Sequence, residues 1–168
     1  QLEKALPPGI VLLHGRRVET ERVSGLSVEL LVEVCALADR AKLPLLVEAD
    51  GSRRRPLKAP GGHEPPIPTW VETVLVLAGL SGIGQPLTDE WVHRPEIFGL
   101  LSGLAPGAPV SLEGLARVLT NPNGGLKNIP GNARRVALLN HADTPGQQAA
   151  GARLAERLLD GGFQAALV

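Results

Sequence analysis

Short, continuous apolar runs recur along the chain and predict buried strands. These runs lie at residues 10–13, 45–49, 74–78, 136–139 and 165–168. Continuous rather than alternating apolar positions are typical of parallel strands that are covered by helices on both faces. Only Glu48 interrupts a run. The pattern therefore predicts a mostly parallel sheet.

Apolar positions spaced by three and four predict helices between these strands. Ser27 is a suitable N-cap for a helix from Val28 to about Lys42, whose apolar stripe is expected to lie on the sheet. Further helical patterns fall near residues 95–104, 111–119 and 147–159. The alternation of strands and helices predicts an α/β, doubly wound fold with helices on both faces of the sheet.

Length and charge narrow the functional classes. The 168 residues predict a single α/β domain over residues 1–168. The chain has 17 Lys plus Arg and 17 Asp plus Glu, so no net charge attracts it to nucleic acid or to a membrane surface. Aromatic residues are 2% of the chain, which leaves few platforms for base stacking. No apolar run reaches about 18 residues, and the lone Cys35 cannot form an intramolecular disulfide, so we expect a cytoplasmic protein.

Polar residues directly after the second apolar run are the first candidates for a site. Ligands of open parallel sheets bind beyond the carboxyl ends of the strands, and Glu48 and Asp50 occupy such a place. Two carboxylates there can hold Mg²⁺ or orient a water for attack on a phosphoryl group, which makes both candidate catalytic and metal residues. Gly51 permits a sharp turn. The alternative interpretation is an ordinary Asp-Gly turn.

A basic segment follows the two carboxylates within a long loop at residues 50–70. Its hydroxyl and cations are Ser52, Arg53, Arg54, Arg55 and Lys58. Guanidinium groups match the geometry of phosphate oxygens, so this segment predicts phosphate binding. Long ordered loops in compact domains are often functional.

Two further histidines lie near charged residues. His63 and Glu64 continue the loop, and His93 and Arg94 precede a predicted helix. Metal binding by His63, Glu64, His93 and Glu96 is one interpretation, but no pair has a recognised metal spacing. We therefore favour hydrogen bonding or ligand contact. Glu96 also suits the first turn of a helix.

The strand predicted at residues 136–139 ends in Asn140-His141-Ala142-Asp143. Asn-x-x-Asp is the spacing by which guanine-binding GTPases present a carboxylate to the base, although both residues also favour turns. His141 stands where that motif usually has Lys, which leaves adenine open. In the second long loop, residues 120–134, Lys127 could reach a phosphate, the alternative being a mobile surface segment.

Taken together, the motifs at residues 48–60, 63–68, 93–96 and 140–143 resemble those of the YqeC family. Members of that family are described as accessory proteins of selenium-dependent molybdenum hydroxylases. The resemblance implies a P-loop NTPase-like fold that uses GTP or ATP with Mg²⁺. It also implies that Glu48 to Gly51 is the Walker B type element and that Asp143 faces the base.

The sequence departs from that family at its start. No Gly-x-x-x-x-Gly-Lys-Ser/Thr occurs, whereas the family normally opens with a loop that carries Gly-Lys-Thr. The chain also contains no Met and begins with Gln1. One hypothesis explains both facts: the chain is a fragment of a longer protein and begins downstream of the first strand and the phosphate loop.

Two functions from different classes remain open. The first is a nucleotide-dependent maturation factor for a molybdenum hydroxylase, a possible NTPase in its full-length form. In it Glu48 and Asp50 handle metal or water, the basic segment binds phosphates, and Asn140 and Asp143 contact the base. The second is a non-catalytic module that binds a partner protein or a phosphate-bearing ligand such as a nucleotide or the pterin of a molybdenum cofactor.

Overall fold

Residues 9–19 and 22–168 are described by the structure, a computed structural model. Their contacts divide the chain into two units, Gln1–Val47 and Glu48–Val168. The prediction of one domain over residues 1–168 stays a prediction.

The first unit contains a short hairpin and one helix. Strands β1 (Arg17–Glu19) and β2 (Arg22–Val23) pair antiparallel. Helix α1 (Val28–Ala41) begins after Ser27, whose side chain accepts a hydrogen bond from the first turn, and it ends at Lys42, which is left-handed with φ of 54°. The predicted helix and its N-cap are confirmed. The apolar stripe of α1 does not lie on a parallel sheet of this unit, because the β1–β2 hairpin is the only sheet in its described residues.

Two of the predicted strands are wrong. Residues 10–13 and 45–49 adopt no strand, and Ile10 and Leu46 are 102% and 87% exposed. A short apolar run becomes a strand only where a neighbouring strand takes up its backbone hydrogen bonds. Neither run pairs with a strand anywhere in the described ranges. Glu48 and Asp50 therefore do not follow a strand end.

The second unit holds the remaining elements. In chain order they are β3 (Leu57–Lys58), β4 (Thr73–Gly79), β5 (Val92–His93), α2 (Pro95–Ser102), α3 (Leu112–Thr120), β6 (Arg134–Asn140), α4 (Pro145–Asp160) and β7 (Ala165–Leu167). The order β4-β6-β7 forms a parallel sheet, and β3 and β5 form a second parallel pair. The strands predicted near residues 74, 136 and 165, the three later helices and the α/β class are confirmed.

The core of this unit lies between the sheet and its helices. Helix α4 contacts β6 and β7, and α3 packs on α4 and α2. Phe98, Leu115, Leu139 and Leu154 are almost completely buried there. Each such side chain contributes roughly 1.5–3 kcal/mol relative to an exposed one. Helix α4 starts with a capping box, in which Thr144 and Gln147 satisfy each other's backbone N–H groups.

The prediction of strands buried on both faces is wrong for β4, one face of which is partly exposed. Leu75 and Leu77 are 45% and 56% exposed, whereas Ala78 and its register partner Leu139 are buried. Strand β4 is at the edge of the sheet, so it lacks a neighbour on one side. None of the helices in residues 9–19 and 22–168 is long and apolar enough to cross a membrane.

Candidate functional site

The basic segment forms a tight turn with two arginines at its tip, which we call the arginine turn (residues 52–55). The carbonyl of Ser52 accepts the Arg55 N–H at 3.2 Å, and the Ser52 hydroxyl donates to the Arg55 carbonyl at 2.8 Å. Arg53 and Arg54 have φ of 55° and 62°. Two consecutive positive φ angles are typical of turns that favour Gly or Asn, and each costs another residue type about 1 kcal/mol. The fold thus holds two exposed arginines in a strained conformation.

Arg55 anchors the arginine turn to another part of the same unit. Its Nε–H donates to the carbonyl of Asp89, and a second guanidinium nitrogen lies 3.5 Å from the carbonyl of Arg53. Its guanidinium is therefore committed to carbonyl oxygens of the protein. Arg53 and Arg54 are the two exposed arginines of this turn.

Lys58 joins the loop to the carboxylate that precedes the arginine turn. Its Nζ lies 2.7 Å from Asp50 Oδ2 and donates to the Gly51 carbonyl at 3.0 Å. It also lies 3.4 Å from Glu64 Oε2. Its side chain is only 18% exposed. Lys58 is thus an internal counter-charge for two carboxylates and is not placed as an exposed phosphate ligand.

Glu64 and Arg94 form a two-pronged ion pair beside Lys58. The two guanidinium nitrogens of Arg94 donate to the two carboxylate oxygens of Glu64, each at 2.7 Å. Arg94 also donates to the carbonyl of Ala59 at 3.2 Å. The hydrogen bonds from Arg94, reinforced by Lys58, lower the pKa of Glu64 to about 2 against the opposing effect of burial. The same pair raises the pKa of Arg94. We call Asp50, Lys58, Glu64 and Arg94 the ion-pair cluster.

His93 lies beside the ion-pair cluster without being one of its charges. Lys58 and His93 are register partners in the β3–β5 pair, and His93 is buried. Burial, and then the positive charges of Arg94, Arg53 and Lys58, lower the pKa of His93. Its imidazole is therefore neutral at neutral pH.

The structure does not support the alternative interpretation of His63, Glu64, His93 and Glu96 as a metal site. Across residues 9–19 and 22–168, no three His, Cys, Asp or Glu side chains come together as metal ligands. Glu64 is bound to Arg94, His63 is exposed, and Glu96 lies exposed in the first turn of α2. Glu96 thus has its helix-start role.

The carboxyl ends of β4 and β6 carry a second group of polar residues. Asn140 is the register partner of Gly79 and is exposed, as is Asp143 before α4. Between them, His141 Nδ1 lies 2.7 Å from Ser81 Oγ. Ser81 was not among the residues predicted from the sequence, although it follows an apolar strand, as Glu48 and Asp50 were expected to do.

Gly79, at the carboxyl end of β4, contacts the residue that follows the arginine turn. Its N–H donates to the carbonyl of Pro56 at 2.8 Å. A Cβ at position 79 would lie 2.8 Å from Pro56 Cβ and 2.9 Å from His141 Nδ1, closer than real contacts allow. Because Pro56 directly follows Arg55, the arginine turn and His141 are neighbours at one edge of the sheet.

Lys127 and Asn128 hold the loop that carries Glu64. The Lys127 ammonium donates to the carbonyls of Gly61 and Gly62, the latter at 3.0 Å. Asn128 donates to the Pro65 carbonyl at 2.9 Å. The position of Lys127 favours an anchoring role over the phosphate contact suggested by the sequence.

The structure thus brings most of the predicted residues together. Gly51, Ser52 and the arginines adjoin the ion-pair cluster. Glu48 is exposed, with its Oε1 3.8 Å from where a Cβ of Gly51 would lie. His63 is exposed, and it takes part in no ion pair within residues 9–19 and 22–168. The sequence did not indicate that Lys58, Arg55 and Lys127 have partners within the protein.

Comparison with known proteins places the chain in a family. The family model described as YqeC protein matches residues 1–96. The protein named "Uncharacterized protein YqeC" from Escherichia coli (strain K12) is 37% identical over 128 residues, which are 76% of this chain and 49% of that relative. The chain thus spans about half the length of the curated relative that it matches. No solved structure matches. The family match over more than half of the residues, together with this relative, shows that the chain belongs to the YqeC family.

Proposed function

We propose that this chain provides the phosphate-binding surface of a nucleotide-dependent accessory protein that acts in the maturation of a molybdenum hydroxylase. The maturation role rests on the family resemblance. The phosphate-binding role rests on one observation, the arginine turn, in which two exposed arginines occupy left-handed positions. Strained backbone of this kind clusters at ligand sites, because the surrounding fold must stabilise it.

The distribution of charge around the arginine turn supports this assignment. Lys58 is paired with Asp50, and Arg94 is paired with Glu64. Arg55 is committed to the Asp89 carbonyl. Arg53 and Arg54 are exposed at the tip of the arginine turn, and their planar forks suit the oxygens of an incoming phosphate.

The expected ligand is GTP or ATP, with Asn140 and Asp143 as contacts to the base at the exposed end of β6. The Mg²⁺ role expected for Glu48 and Asp50 needs both carboxylates, and the Asp50 carboxylate lies 2.7 Å from the Lys58 ammonium. Mg²⁺ requires oxygen ligands in near-octahedral geometry, and a bound ammonium competes for them. We therefore assign no step to a metal at these residues.

A second candidate is the non-catalytic binding module. The Asp50–Lys58 ion pair favours it, because the Lys58 ammonium, 2.7 Å from Asp50 Oδ2, occupies an oxygen that would otherwise orient a water or coordinate a metal. In this alternative the arginine turn binds the phosphate of a nucleotide or a pterin cofactor, or a partner protein, and no bond is broken.

We expect the double substitution Arg53→Asn and Arg54→Asn to weaken GTP binding about tenfold. Asn tolerates positive φ, so the turn should persist while two charge-assisted contacts are lost. Titration calorimetry of the chain measures the effect. A matched control removes two exposed helical arginines, Arg117→Gln with Arg153→Gln, and should leave the affinity unchanged. Equal losses in the two doubles would contradict a specific arginine site.

Binding of GTP by this chain should be the same with magnesium as with EDTA. The expectation follows from the engagement of Asp50 by Lys58, which leaves the arginines to supply the attraction. Calorimetric titration under both conditions tests it, with Asp50→Asn as a comparison. Binding that requires magnesium and is lost in Asp50→Asn would restore Asp50 as a metal ligand and favour the catalytic function.

A further inference from the structure

Ser81 and His141 form a hydrogen-bonded pair that joins two neighbouring parallel strands at their carboxyl ends; we call it the strand-end pair. Ser81 lies in the 3₁₀ turn Leu80–Gly82 after β4, and His141 follows β6. Ser81 Oγ and His141 Nδ1 are 2.7 Å apart. Ser81 is half-buried and His141 is exposed. Ligands of parallel sheets bind at this edge.

Several contacts hold the histidine of this pair in place. The backbone of His141 is left-handed, with φ of 56°. Gly79 leaves the space that the ring uses, since a Cβ there would lie 2.9 Å from His141 Nδ1. The same Cβ would lie 2.8 Å from Pro56, the residue after the arginine turn. The imidazole is therefore positioned next to the turn that we assign to phosphate.

The hydrogen bond of the strand-end pair determines what it can offer a ligand. If the Ser81 hydroxyl donates to Nδ1, the Nε2–H of His141 is a donor and Ser81 Oγ keeps its acceptor lone pairs. If Nδ1–H donates to Ser81, Nε2 is an acceptor and the hydroxyl is a donor. Both tautomers present one donor and one acceptor. A donor next to an acceptor matches a ligand ring whose edge also carries one donor and one acceptor, as the rings of purines and pterins do.

A planar imidazole adds a surface on which such a ring can stack. The protein has little else for this purpose, because aromatic residues are 2% of the chain and Tyr is absent. The hydrogen-bonding strand-end pair and the cationic arginine turn thus suit the two parts of one ligand, a polar ring and a phosphate.

We propose that Ser81 and His141 bind the nitrogen heterocycle of a phosphate-bearing ligand, a purine or pterin, whose phosphate lies on the arginine turn. This inference rests on the proposed function. The inference goes beyond the proposed function because it assigns the ring to Ser81 and His141, in addition to Asn140 and Asp143.

Paired ligands with and without a ring test this proposal. Wild type, Ser81→Ala and His141→Asn are titrated calorimetrically with GMP, with 6-hydroxymethylpterin phosphate and with ribose 5-phosphate, which has no ring. Asn is chosen because it adopts positive φ more readily than Ala. Each substitution should weaken binding of at least one ring-bearing ligand about fivefold, the effect of one lost hydrogen bond. Binding of ribose 5-phosphate should not change.

The controls separate failure of this inference from failure of the proposed function. His14→Asn, a substitution in the other unit, should change no affinity. The ring assignment would be overturned if a substitution lowered the affinity for ribose 5-phosphate as much as the affinity for the ring-bearing ligands, or if it lowered neither ring-bearing affinity. Neither result would contradict the assignment of phosphate to the arginine turn. If the wild type binds none of the three ligands, the phosphate assignment and the ring assignment both fall.

Discussion

Replacing Glu64 by alanine is expected to lower the free energy of unfolding by about 2 kcal/mol. The change leaves Arg94 half-buried without its carboxylate and removes one of the two carboxylates near Lys58. Hydrogen bonds to charged groups contribute about 1.5–3 kcal/mol, and a partner left unpaired adds to the loss. Denaturant unfolding followed by tryptophan fluorescence measures it, because Trp70 and Trp91 both lie in the second unit.

An exposed ion pair in the same unit provides the matched control for Glu64→Ala. Glu113 and Arg157 are 2.6 Å apart, but their side chains are 49% and 53% exposed. Exposed pairs contribute about 0–1 kcal/mol, so Glu113→Ala should change stability by less than half as much as Glu64→Ala. Equal losses would show that the burial and two-pronged geometry of the Glu64–Arg94 pair add nothing.

The same ion pair predicts how stability depends on acid. The pKa of Glu64 is lowered from 4.5 to about 2 in the folded protein. A carboxyl group with a lowered pKa stabilises the fold above its unfolded pKa, and this stability is lost as pH falls from about 4.5 towards 2. The wild type and Glu64→Ala should therefore differ fully at neutral pH and converge near pH 2. A difference that is constant across this range would contradict the ion-pair explanation.

Gly79→Ala is expected to destabilise the second unit by about 2 kcal/mol and also to weaken phosphate binding. The new Cβ would meet Pro56 at 2.8 Å and His141 Nδ1 at 2.9 Å. Overpacking costs about 1–3 kcal/mol. Gly79 has φ of −85°, which any residue adopts, so the effect is purely steric. Relief of the clash must move Pro56, and with it the arginine turn, or must move His141.

Two measurements check the Gly79 prediction. Denaturant unfolding reports the stability, and titration with ribose 5-phosphate reports the arginine turn. Gly131→Ala is the control, because a Cβ there would meet nothing within 4 Å and its φ is not in the left-handed region. That variant should be neutral or slightly more stable, since alanine restricts the unfolded chain. A Gly79→Ala protein with wild-type stability and affinity would show that the arginine turn and the strand edge are independent.

Much of the second unit follows from local sequence. The apolar runs at 74–78 and 136–139 are strands, and the spacing of apolar residues predicted α2, α3 and α4. In the first unit, Ser27 determines the start of α1. These features were predictable because periodicity and capping act over a few neighbouring residues.

The two failed strands show the limit of that reasoning. Residues 10–13 are as apolar as the runs that became β4 and β6, and residues 45–49 differ from them only by Glu48. A strand, however, needs a partner for its backbone, and hydrophobicity alone does not provide one. The sequence identifies the apolar runs, but only the tertiary structure decides which of them lie beside a strand with which they can pair.

The sequence by itself determined which residue types surround the candidate site: the carboxylates, the arginines and the histidines near positions 50, 64, 93 and 141. Only the tertiary structure decided their roles. Ion pairs and hydrogen bonds such as Glu64–Arg94, Lys127–Gly61 and Ser81–His141 join residues 30, 66 and 60 positions apart. Composition and local periodicity carry no information about such distant partners. The physical reason is that a charge becomes an internal counter-ion or an exposed ligand contact according to which opposite charge the fold places beside it.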